Sequence, residues 1–136
     1  MKSTLTLVTA LAVLCLFGCS TPFRAPPDVA QIKLERVDSP LVEVEKIWLE
    51  RKQPGPLVLK GFVVKRLETK DTTQTHLDVT LYDGSGKILR STVEYFEPRQ
   101  IPRRARMPDD ASYRVVLDPL PSGTVSIEVR AHEGGH

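Results

Sequence analysis

Cysteine is scarce in this sequence. The 136 residues include two, Cys15 and Cys19, both near the start. A disulfide framework for the body of the chain is excluded, so its stability has to come from packing. Aromatic residues are few as well, at 6%, with a single Trp, Trp48. Charge of one sign is also lacking: 19 basic against 17 acidic side chains leave a formal net charge of +2. That balance offers no basic face for nucleic acid. No apolar run reaches the roughly 20 residues of a membrane-spanning helix. The composition excludes a multi-span membrane protein, a collagen-like fibre, a disulfide-dense mini-protein and a fully disordered chain. The length fits one domain of ordinary size.

The N-terminus reads as an address. Lys2 supplies a positive start, and Leu5 to Leu16 is an uncharged apolar stretch. Its length suits the apolar region of a signal peptide. Leu16-Phe17-Gly18-Cys19 follows. This resembles the lipobox of bacterial lipoproteins, in which the peptidase cuts before the Cys and the Cys carries the lipid. The resemblance implies cleavage between Gly18 and Cys19 and a lipid anchor on Cys19. Leu14 is too large to precede a cut, so Cys15 does not compete. Ser20, not Asp, comes next. In Gram-negative lipoproteins that implies the periplasmic face of the outer membrane. Two or more acyl chains anchor firmly, since each buried CH₂ contributes about 0.8 kcal/mol. Lys2 is the sole charged residue before Cys19, so the mature chain of 118 residues carries 18 basic and 17 acidic side chains.

The remainder reads as strands and turns. Pro22, Pro26 and Pro27 mark residues 19–30 as a tether. From residue 31 the apolar spacing is two. Strands are predicted around Ile32–Val37, Leu41–Leu49, Leu57–Leu67, Thr75–Asp83, Ile88–Phe96, Tyr113–Asp118 and Val125–His132. Asp83-Gly84-Ser85-Gly86-Lys87 reads as a hairpin turn, with Asp83 capping its backbone. Residues 1–18 are thus a helical signal peptide, 19–30 a tether, 31–132 the domain and 133–136 a polar tail. About seven strands with no helix after the signal predict an all-β, antiparallel sandwich of the immunoglobulin or fibronectin-III kind. A small closed barrel is the alternative. Trp48 shares the phase of Val42 and Val44 and is expected between the sheets.

Leu77-Asp78-Val79-Thr80-Leu81-Tyr82-Asp83, with Gly84 and Gly86 after it, resembles the FxLYD-type bacterial Ig-like domain. Val79 stands where that pattern has Phe. The resemblance covers about 40 residues, from Leu57 to Phe96, and implies an accessory, extracytoplasmic domain rather than a chemistry.

Few groups are candidates for chemistry. Nucleophilic catalysis needs a nucleophile, a base and an orienting group. No free Cys remains in the mature chain, and no Gly-x-Ser-x-Gly elbow occurs. The sequence therefore predicts no enzyme and no cofactor. His76, His132 and His136 are the three histidines. His76 and His132 fall on the polar phase of their strands, where solvated side chains are expected. His132 and His136, with Glu133 and perforce flexible glycines between them, form a tail able to wrap copper or zinc. Arg99, Arg103, Arg104 and Arg106 crowd one long loop. Guanidinium groups pair bidentately with carboxylate and phosphate, so this loop is the candidate partner contact. Asp109 and Asp110 follow it and offer local pairing instead. The sequence thus predicts a lipid-anchored envelope protein that binds another envelope protein. The alternative is a periplasmic metal-binding lipoprotein using His132, His136 and His76.

Overall fold

Alternating Val, Leu and Ile with polar residues puts one face of each segment in water and one against a neighbour. The computed structural model describes residues 24–66, 70–102 and 109–134, and it has strands where that alternation occurs. They are β1 (Lys33–Val37), β2 (Val42–Arg51), β3 (Leu57–Lys65), β4 (Thr75–Tyr82), β5 (Ile88–Glu94), β6 (Asp110–Val116) and β7 (Ser126–Glu133). One sheet has the order β1-β7-β4-β5 and the other β2-β3-β6. The two sheets face each other as a sandwich. The proposed signal helix, Gly18 and Cys19 lie outside the described residues.

The core is built from the inward phase of both sheets. Leu77, Val79, Leu81, Ile127 and Val129 meet Val42, Val44, Leu57, Leu59 and Val63, all at most 1% exposed. Fully burying one such side chain stabilises by roughly 1.5–3 kcal/mol. Phe96 and Ile101 join the same core from the loop after β5. Val29, in a short 3-10 turn at Pro27–Val29, also joins it. The folded body therefore starts inside the segment read as tether.

Three features go beyond the alternating pattern. First, β1 runs parallel to β7, pairing Lys33 with Ser126 through Val37 with Arg130. Every other ladder among the described residues is antiparallel. Secondly, Arg36 of β1 donates to the Val44 and Glu45 carbonyls of β2, which ties the two sheets at one margin. Thirdly, β2 carries a bulge between Val44 and Lys46.

The bulge overturns the expectation for Trp48. An extra residue in a strand reverses the side-chain phase beyond it. Val42 and Val44 point inward before the bulge, and Leu49 is the buried residue after it. Trp48 lands on the outer face, half-buried, with its ring 5.5 Å from that of Phe62 at 42°. The β4–β5 hairpin follows expectation. Asp83 Oδ1 accepts from the Ser85 amide at 2.9 Å, the Ser85 hydroxyl at 2.7 Å and the Lys87 amide at 3.0 Å. Gly86 supplies the positive φ, 82°, that the turn requires.

Candidate functional site

Among the described residues, the outer face of the four-stranded sheet gathers three side chains able to ligate a metal ion. His76 and Asp78 sit two residues apart on β4, so alternation puts both on one face. His132 lies directly opposite His76 on the neighbouring β7. Asp78 then reaches both imidazoles. Its Oδ1 lies 3.6 Å from His76 Nε2, and its Oδ2 lies 3.2 Å from His132 Nδ1. The two rings are 5.0 Å apart, tilted by 53°. One ligand atom from each of the three residues falls within 4.8 Å of the others.

Burial grades across the group. The His76 side chain is 4% exposed, Asp78 26% and His132 56%. The position of His76 corrects the expectation of a solvated ring. It does occupy the polar phase, but β4 is an inner strand with β7 and β5 on either side, and His132 packs on its ring. Beside the group lies an open depression of about 400 Å³, bordered by Asp38, Ser39, Pro40 and Glu133. Glu133 is engaged there, its Oε1 accepting from the Leu41 amide at 2.9 Å. Arg130, opposite Asp78 in register, is drawn to Glu128 at 3.1 Å.

The histidines named from sequence therefore separate. His76 and His132 come together, while His136 lies outside the described residues. Asp78 was not among the candidates, although it joins the other two. The i, i+2 spacing of His76 and Asp78 on a strand was its one local signal. The pairing with His132 spans the chain and has no local signal.

The arginine loop is held at its base. Thr72, fully buried, donates its hydroxyl to the Arg99 carbonyl at 2.8 Å and accepts from the Ile101 amide at 2.9 Å. Arg99 donates to the Thr73 carbonyl and stacks its guanidinium 3.9 Å above the Tyr95 ring. Such a cation–π contact adds roughly 0.5–1 kcal/mol at an exposed site. Arg99 thus holds the loop to the β3–β4 connection. Arg103, Arg104 and Arg106 lie outside the described residues. Just before the loop, Glu97 pairs with Ser112 of β6 through an isolated antiparallel bridge.

Among the described residues, no helix is long and apolar enough to cross a membrane. Comparison of the chain with family models, curated proteins and solved structures found no match.

Proposed function

We propose that this protein is a lipid-anchored, non-catalytic envelope module that binds another envelope protein. The observation that carries the reading is the run Leu16-Phe17-Gly18-Cys19 behind an uncharged apolar stretch and Lys2. An acylated Cys19 is the membrane attachment, at the periplasmic face of the outer membrane in a Gram-negative host. The β-sandwich supports the binding half of the reading. A rigid scaffold that presents a long loop is a common arrangement for recognition. Here both feet of the arginine loop are fixed, by Arg99 and Ile101 on one side and by β6 on the other. Arg103, Arg104 and Arg106 between those feet suit carboxylates on a partner face.

Two measurements test the two halves. Metabolic labelling with a fatty acid should mark the full chain, and Cys19→Ala should lose both label and membrane retention. Retained label in Cys19→Ala contradicts the anchor. Photo-crosslinking from positions 103 and 104 in cells should give one dominant protein adduct, lost when the remaining loop arginines become Ala. Adducts only with lipid or glycan, or none at all, contradict the partner reading.

A further inference from the structure

We propose that His76, Asp78 and His132 form an exchangeable binding site for one divalent transition-metal ion, zinc or copper. The site is separate from the lipid anchor and from the arginine loop, and it does not depend on either.

The geometry carries the inference. All three residues project from paired strands, and the β4–β7 ladder sets their spacing. Sites on strands hold their groups more precisely than sites on loops. A tetrahedral zinc ion with bonds of about 2.0–2.1 Å spaces its ligand atoms roughly 3.3 Å apart. The Asp78 carboxylate approaches both imidazoles, through Oδ1 at 3.6 Å and Oδ2 at 3.2 Å, and one ligand atom from each of the three residues lies within 4.8 Å of the others. Rotation of the exposed His132 side chain would draw these atoms in around an ion.

The chemistry of the donors agrees. Two imidazole nitrogens and one carboxylate are ligands that zinc and copper(II) both accept. Copper(II) is expected to bind more tightly, by the general order of divalent affinities. Asp78 provides the negative charge, while Arg130, the nearest cation in register, is paired with Glu128. The burial gradient sets the type of site. His76 forms a closed floor, and His132 stands open to solvent. Three protein ligands with an exposed side leave a coordination position for water or an exogenous ligand, as exchangeable sites do. The depression beside His132 gives that position a way in.

The test is titration of the full chain in detergent micelles with zinc chloride and, separately, copper sulfate. Calorimetry and the thermal midpoint are the readouts. The expected result is one equivalent bound and a midpoint that rises with metal concentration, since a ligand held only by the native state stabilises it. His132→Ala and Asp78→Asn should each weaken binding tenfold or more, and His136→Ala should leave it unchanged. His76 is buried, so its replacement confounds binding with folding; the exposed His132 carries the test. An unmoved midpoint at hundredfold excess of both metals overturns the site. So does undiminished binding in His132→Ala and Asp78→Asn, or loss in His136→Ala.

Discussion

Tyr113 lies over Gly61 and donates its phenol hydrogen to the Lys46 carbonyl at 3.1 Å. The two residues face each other across the β3–β6 ladder. Gly61 leaves an empty place on the inner phase of β3, between Leu59 and Val63, and the tyrosine ring occupies it. The acceptor belongs to the bulge of β2, whose Val44 and Glu45 carbonyls are taken by Arg36. Side chains from β1 and β6 thus satisfy the carbonyls that the bulge displaces, and the bulge in turn puts Trp48 outside. Burial pushes the Tyr113 phenol well above its usual range, so it stays a donor.

Gly61→Ala is expected to be among the most destabilising single changes. A Cβ there collides with the Tyr113 ring and the Lys46 carbonyl. Overpacking of this kind costs about 3 kcal/mol. Tyr113→Phe keeps the ring and loses one hydrogen bond, about 1 kcal/mol. Urea midpoints of the two variants measure the difference. Equal midpoints for Gly61→Ala and the parent would contradict this packing.

Trp48 gives an optical check on the bulge. It is the only Trp, so fluorescence reports one site. On the outer face it should be quenched readily by acrylamide in the folded state. Leu49→Ala should cost 2–5 kcal/mol, roughly the range for buried Leu, and Trp48→Ala clearly less. A shielded, blue-shifted Trp48 would restore the unbulged register.

Acid should loosen the β4–β5 turn. The Ser85 hydroxyl, and after it the Lys87 amide, holds the Asp83 carboxyl below its ordinary value. The folded value is depressed, so the contribution is complete above the unfolded value of about 4 and fades as pH falls through the folded one. Lys60 at 2.5 Å lowers Glu50 in the same sense. Asp83→Asn should flatten the acid limb of stability below about pH 4. Urea midpoints across that range decide it, and an unchanged slope would count against the turn.

Thr72→Val tests the base of the arginine loop. The replacement is nearly isosteric and leaves the Arg99 carbonyl and the Ile101 amide without their buried hydroxyl. Each unsatisfied group costs about 1–3 kcal/mol. Hydrogen exchange should accelerate at residues 99–102 while the β4–β7 ladder stays protected. Uniform acceleration would mean that the contact serves the whole fold rather than the loop.

The strands are legible in the sequence because their signal is local. Alternation along Leu77, Val79 and Leu81 needs no partner to be visible, and neither does the Asp83 to Gly86 turn. These set the fold class. Whatever depends on neighbours is set by how the strands pair. β7 lies beside β4 rather than beside β6, and that pairing alone joins His132 to His76 and Asp78. β1 adds to β7 in parallel, which no hairpin signal announces. The bulge at Glu45 turned Trp48 outward, although its spacing from Val44 is the inward one. Period two predicts which residues share a face within one strand. It carries no information about which strands meet, or about where a ladder slips, because those depend on contacts far apart in the chain.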